Sequence, residues 1–391
     1  MNVVEKSSKM GVREVFEVLY SPVNAFKKII EKPDFKGVIL VVVLVIASMI
    51  ISQYVVASKL NLETRTPEND DWTETLANQH NWTSNGLLLL DNLDYQMGNV
   101  DGNHSISSSA TDETSIWLKL TDIGSINCSE DGETELFFWI KWIREGELSP
   151  SNGSLKLFSG SEDSYFEADM MDILSSSGEW ANATLKVGSD QGWTSNNSPD
   201  WQSITGMEFK LDWSSSANET LKIDGLFFRK FVPFVESAGV GGVIQLALFN
   251  LAMPFAMDWI LWSAILLIVA KLFQEDLGRW ATLLVIIGYT YMSAFVYTLV
   301  NSAFVATLPT INYYLDPALT QIVLNEAWIP LPAYSVSLYL PLIGSIWTAL
   351  LAVVVVRLMT QNTWRKALLI TAVAFGVNFI VNPLVQLFLG F

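Results

Sequence analysis

Cysteine and histidine are nearly missing from this chain, which has Cys128, His80 and His104 in 391 residues. One thiol forbids an internal disulfide, and with two imidazoles it leaves too few ligands for a zinc site. Bases are also scarce, 23 against 40 acids, for a formal charge of −17. With no basic surplus to meet phosphates, a nucleic-acid binder is excluded. Outside one stretch, charge of either sign is sparse. Residues 61–230 hold 29 acids and 10 bases, net −19, whereas the remaining 221 residues hold 11 acids and 13 bases, net +2. That remainder is too apolar to be soluble without a bilayer, which excludes a soluble cytoplasmic enzyme.

Residues 37–58 contain no charge, and at 1.5 Å per residue such a run covers about 33 Å, a hydrocarbon core. Starting after 36 residues and lacking a small-x-small cleavage site, it reads as an uncleaved anchor. Similar runs at 256–273, 280–304, 335–356 and 367–390 make five spans. The segment 239–255 is apolar but short, Gly-rich at its start and interrupted by Pro254, and is expected to be interfacial or re-entrant. The positive-inside rule then places the N-terminus and the loops holding Lys271, Arg279, Arg357, Arg365 and Lys366 in the cytoplasm of a cell-membrane protein. Residues 59–255 and the C-terminus fall outside. All seven N-x-S/T sequons, at Asn81, Asn103, Asn127, Asn152, Asn182, Asn196 and Asn218, lie in that outer stretch and mark it as a candidate glycoprotein segment.

The domains follow from these runs: a cytoplasmic segment 1–36, the span 37–58, a polar stalk 59–85, an outer domain 86–232, and a membrane domain 233–391 with the interfacial helix 239–255. In the first, Ser21-Pro22 reads as an N-cap with proline at the first helical position. Val23, Phe26 and Ile30 share one face of the helix that follows. That helix lies on the inner leaflet with Lys27 and Lys28 at the headgroups, or packs on the ends of the spans. The outer domain shows alternating strand patterns at 87–91, 115–120, 135–143, 154–159, 183–188, 207–213 and 220–231, the pattern of an all-β sandwich or jelly roll.

Three stretches, SPVNAFKKIIEKPDFKGVILVVVL, DLGRWATLLVIIGYTYM and LPLIGSIWTALLAVVVVRLMTQNTWRKALLITAVAF, resemble the Yip family of multi-spanning proteins, named for interacting with Rab-type GTPases. The match covers about 12–58 and 235–391. The proline that often follows the glycine-tyrosine pair is absent after Gly288-Tyr289, and a large domain interrupts the first outer loop, so the chain resembles a prokaryotic or archaeal branch. SPDWQSITGMEFKLDW and ETLKIDGLFFRKF are similar to the closing strands of jelly-roll carbohydrate-binding modules, which implies glycan partners for residues 87–231.

Among chemical candidates, FEADMMD at 166–172 resembles the E-x-D-x-x-E strand of laminarinase-type glycosidases. Alternation puts Glu167 and Asp169 on one face, but Asp172 is a methylene short of the glutamate required. Asp91, Asp94, Asp101 and Asp224 are candidates for a calcium site, with Asp91 and Asp224 central, although calcium wants six to eight oxygens and no EF-type loop is present. Of the outer tryptophans, Trp117, Trp139 and Trp213 sit in apolar strand patterns and are expected in the core. Trp180, Trp193 and Trp201 lie in loop-like contexts and are the candidate sugar platform. Within the spans, Asp258, Asn301, Asn378, Asn382 and Gln386 need explaining. Asp258 is expected near the outer helix end, in reach of water, and the amides as hydrogen-bonding glue. The expectation is a non-enzymatic envelope protein binding glycans or a surface protein, with the lipid bilayer and a second copy of itself as further candidate partners. The alternatives are a small-solute transporter whose outer domain is a lid, and a tethered glycosidase.

Overall fold

The computed structural model describes residues 12–76, 81–96, 102–146, 148–189 and 191–389. The chain divides into two units, one of residues 62–232 with 312–321 and the other comprising the rest.

The first unit is antiparallel β. Its strands are β1 (Leu60–Thr66), β2 (Asn81–Ser84), β3 (Leu87–Asp91), β4 (Ser105–Ile126), β5 (Glu135–Arg144), β6 (Asn152–Ser159), β7 (Ser161–Asp169), β8 (Ala181–Lys186), β9 (Thr194–Asn196) and β10 (Ile204–Pro233), with the short β11 (Ile311–Tyr313) at an edge beside β1. The two long strands organise it. β4 and β10 pair from Met207↔Leu120 to Asp212↔Ser115, slip in register, and pair again from Glu219↔Ala110 to Ile223↔Ile106. Beside the first half lie β2, β6, β7 and β9, and beside the second β3, β5 and β8. At the slip Asp112 takes a left-handed φ of 57°, and on either side of it the β4–β10 ladder of this one eleven-stranded sheet carries a different set of neighbours.

Period-two alternation builds the core. Ile116, Leu118 and Leu120 of β4, Met207, Phe209 and Leu211 of β10, and Leu136, Phe138, Ile140 and Trp142 of β5 are almost fully buried in one cluster. Phe138 meets Phe209 edge-on at 5.0 Å, joining the two halves. The same alternation corrects two expectations. With Ile116 and Leu118 inward, Trp117 faces out, and with Phe138 and Ile140 inward, so does Trp139; both are only half-buried, whereas Trp213 is in the core as expected.

The expected stalk is part of the fold. β1 is a sheet strand, and buried Glu63 accepts hydrogen bonds from Arg65 at 3.0 Å, from Arg229 at 3.4 Å and from the Leu315 N–H at 2.8 Å. Trp72 is buried too, and its backbone oxygen accepts from the Trp82 indole at 2.7 Å. An acid in an acidic stretch reads as solvated when its arginine lies 166 residues further on.

The second unit is helical: α1 (Val12–Tyr20), α2 (Pro22–Glu31), α3 (Phe35–Ala57), α4 (Phe234–Ala247), a π-helical turn (Leu248–Ala252), α5 (Met253–Leu272), α6 (Trp280–Thr290), α7 (Met292–Ala306), α8 (Pro317–Ala327), α9 (Pro332–Thr360) and α10 (Trp364–Leu389); the start of α8 belongs to the first unit. Among the described residues five helical stretches are long and apolar enough to cross a membrane: 35–57, 234–272, 280–306, 332–360 and 364–388. The segment 239–255 belongs to the second of them. Gly239 breaks α4 with a left-handed φ of 67°, and beyond it the chain stays helical through the π turn into α5, with Pro254 just after that turn. α4 packs along α3. Of the two placements open for α2, the structure has the packed one: Ala25, Phe26 and Ile29 are fully buried in the helix core, and Lys28 reaches Glu17 at 2.8 Å. Lys366 ion-pairs with Glu275, which brings the turns on either side of Gln274 and Thr363 together at one end.

Candidate functional site

The expected platform splits. Trp193 and Trp201 do come together, edge to face at 5.8 Å, but Trp201 lies flat on Phe166 at 3.7 Å and the Trp193 indole donates to the Lys186 carbonyl at 2.8 Å. Both pack on the core cluster, so one face of Trp201 is already covered.

Trp180 immediately precedes β8, six residues from Lys186, about 20 Å along a strand. There it belongs to the outer face of the sheet formed by β3, β4, β10, β5 and β8. Its indole N–H donates to Asp94 Oδ1 at 3.0 Å, and Lys141 Nζ donates to the same oxygen at 3.0 Å. Lys222 Nζ bridges Asp94 Oδ2 at 2.7 Å and Asp91 Oδ2 at 2.6 Å. Lys141 also stands over the Trp180 ring, 5.8 Å from its centroid. Burial alone would raise the Asp94 carboxyl, but the bonds from Lys222, Lys141 and Trp180 outweigh it and pull it down to about 2. Asp94 is therefore ionised at neutral pH, held by these three donors. In register, Lys141 lies opposite Lys222 and Trp139 opposite Asp224, so the half-buried Trp139 shares this face, its indole N–H buried without a partner.

This geometry bears on the calcium expectation. Asp91 and Asp224 flank β4 from its two sides near Ser105, but their oxygens turn to different partners. Lys222 supplies at Asp91 the positive charge that the calcium reading assigned to an ion. Asp224 accepts from the N–H groups of Gln96 at 2.6 Å and Gly225 at 2.8 Å. Among the described residues no group of three or more His, Cys, Asp and Glu side chains is arranged to hold a metal ion. Asp101 and His80 lie outside the described residues. Asp224 belongs instead to a buried acidic pair: Thr73 donates to Asp70 Oδ1 at 2.5 Å and stands 3.3 Å from Asp224 Oδ1. Burial, against the help of Thr73 and with Asp224 and Glu74 adding repulsion, pushes the Asp70 carboxyl up to about 8.

Glu167 and Asp169 share the outer face of β7, opposite Lys156 and Ser154. Asp169 accepts from the Met171 N–H at 2.8 Å, and Asp172 lies beyond the strand in a turn. The three acids are thus not the continuous strand that the glycosidase pattern needs. All seven sequon asparagines are exposed.

In the helical unit, Asp258 is not at a helix end, because α4 and the π turn continue its helix outward. It lines a cavity of about 430 Å³ between α5, α6, α7, α9 and α10. Tyr291 donates to its Oδ2 at 2.7 Å, and Asn378 and Asn382 donate to its Oδ1 at 3.1 and 2.9 Å. Gln386 donates to Asn382 at 3.2 Å. Asn378 and Asn382 join α10 to α5 through this carboxylate, whereas Gln386 bonds within α10; the convergence on Asp258 is a constellation that spacing alone did not show. The oxygens of Asn301 and Asn378 are buried without a partner.

No protein-family model matches the chain, and no curated protein matches it. Solved structures similar in part include an exo-β-agarase (12% identity, 42% of this chain and 24% of that chain, TM-score 0.31). They also include a family 11 carbohydrate-binding module from Clostridium thermocellum in complex with a mixed-linked tetrasaccharide (10% identity, 43% and 95%, TM-score 0.28) and a mutant of a family 29 carbohydrate-binding module (15% identity, 43% and 90%, TM-score 0.27). The chain spans about a quarter of the length of the agarase. Likenesses this slight carry no argument, and function rests on the residues themselves.

Proposed function

We propose that the chain is a non-enzymatic, Yip-like integral protein of the cell envelope that displays a glycan-binding sandwich outside the membrane. The observation that carries the glycan reading is Trp180: a half-buried indole held in one orientation by Asp94, beside Lys141 and Lys222, on an outer sheet face. Sugars are recognised by an aromatic ring under their C–H face and by charged groups that bond their hydroxyls, and this face offers both without loop rearrangement. Five long apolar helices and the exposed sequons support the envelope placement. The permease reading draws its support from the cavity at Asp258.

The test is a glycan array probed with the full chain in detergent, followed by titration of any hit. Trp180→Ala is expected to weaken binding about tenfold or more, and Asp94→Asn to weaken it as well, while Trp193→Ala leaves it within about twofold. An array without a hit, or an equal loss from Trp193→Ala, overturns the reading.

A further inference from the structure

The helical paths around Asp258 carry irregularities near the cavity. The π turn Leu248–Ala252 precedes α5, the α6–α7 path breaks at Tyr291, and Pro341 and Pro383 lie inside α9 and α10. A proline frees the carbonyl four residues before it, here those of Ser337 and Phe379. At membrane depth, irregular backbone is tolerated where it is buried in protein or lines a polar cavity, and π turns concentrate at functional sites. A break at Tyr291 and two in-helix prolines on the cavity wall, with a π turn on the helix that carries the carboxylate, mark a ligand site rather than independent defects.

The ligand's chemistry follows from what the site has and lacks. Asp258 receives three neutral donors and no cation from its own helices: Lys271, Arg279 and Lys366 lie twelve or thirteen residues from Asp258, Tyr291 and Asn378, about 18–20 Å along a helix. A carboxylate in a bilayer calls for a counter-charge. Asn378 Oδ1 is a buried acceptor with no donor, so the ligand brings N–H or O–H as well as positive charge. Five aromatic residues, Trp262, Tyr291, Tyr297, Phe375 and Phe379, line the same cavity, and ring faces favour weakly hydrated cations. At about 430 Å³ the space is some tenfold larger than the roughly 30 Å³ share of one water, and it falls in the roughly 300–1,000 Å³ range of organic-ligand sites. A bare metal ion leaves most of it empty.

We propose that this cavity binds a protonated organic amine, its ammonium on Asp258 and Asn378 Oδ1 and its carbon skeleton among the rings. The inference rests on the bilayer placement of the helices, not on the carbohydrate reading, and glycan binding has no bearing on it. The same chemistry is offered by a free amine and by the headgroup of phosphatidylethanolamine.

The test is calorimetric titration of the full chain, purified in detergent free of aminolipid, with phenethylammonium and with its neutral alcohol analogue, alongside native mass spectrometry for retained phosphatidylethanolamine. Saturable binding of the amine but not the alcohol, weakened at least about tenfold in Asp258→Asn and severalfold in Phe379→Ala, supports a free amine. Retained phosphatidylethanolamine that Asp258→Asn releases supports the lipid source. Phe379 lies at the cavity rim, so its replacement reads binding even where Asp258→Asn fails to fold. Binding of amine and alcohol alike, binding undiminished in both variants, or absence of both amine and aminolipid overturns the proposal.

Discussion

Asp70 is a residue whose surroundings strongly disturb its chemistry. It is 1% exposed beside a second buried acid, Asp224, and its carboxyl is pushed up to about 8, against an ordinary value near 4. The folded state therefore holds a proton that the unfolded chain gives up above about pH 4. This contribution is fully present below about pH 4 and is lost as pH rises through about 8. Asp70→Asn keeps the oxygen that Thr73 bonds and removes the titration. Its melting temperature is expected to exceed that of the wild type by several degrees at pH 8 and to differ little at pH 4, as scanning calorimetry of the full chain would read. No gain at pH 8 would mean that Asp70 is ionised in the fold. Asp94 has the opposite sign: held at about 2, its stabilisation is present above about pH 4 and lost as pH falls through 2.

At the scale of elements, two glycines show how the helices meet. A Cβ on Gly288 would overlap Val38 and Trp259, and one on Gly344 would overlap Tyr297, so α6 approaches α3 and α5, and α9 approaches α7, without a side chain between. Overpacking of such sites costs about 1–3 kcal/mol. Gly288→Ala is expected to lower the detergent melting temperature by several degrees, while Gly241→Ala, with open space around it, leaves it unchanged by that steric route; equal effects would deny the close approach. In the sequence, Gly288 was visible only through a family resemblance, since compositional runs reveal a span but not its neighbours. Strands were legible for the complementary reason. Alternation is local, and it located β3, β5, β6 and β8 and both arms of β10. What it did not reveal was that residues 207–213 and 220–231 are one bent strand, because the bend depends on register with β4. Trp117 and Trp139 have apolar neighbours in sequence, which points to the core, but the two-residue period turns both outward. Glu63 and the Asp258 cluster were hidden because their partners come from distant parts of the chain.

At the scale of the whole molecule, the β unit begins at Leu62 and includes residues 312–321, so a fragment cut at 86 removes β1, Trp72 and the Glu63–Arg229 pair. Arg229 keeps Glu135 at 2.8 Å but loses buried Glu63, and the sheet loses β1 and the buried Trp72, so a fragment of residues 62–232 is expected to melt higher than one of 86–232. Equal melting temperatures would return residues 62–85 to the role of a stalk. Topology is the larger question. The pairing of Lys366 with Glu275 puts two basic turns at one end of the helices, which the positive-inside rule assigns to the cytoplasm. Cys128, the one native thiol, is 1% exposed and pushed by burial, with Glu133 adding to it, up to about 12. It is therefore inert to maleimides, which react with the thiolate, and engineered cysteines can be read against an unlabelled wild type. In intact cells a membrane-impermeant maleimide is expected to label Asn182→Cys and to spare Gln274→Cys and Thr363→Cys, which react only after permeabilisation. Labelling of either turn in intact cells would invert the arrangement, place the β unit in the cytoplasm and remove the surface glycans from its reach.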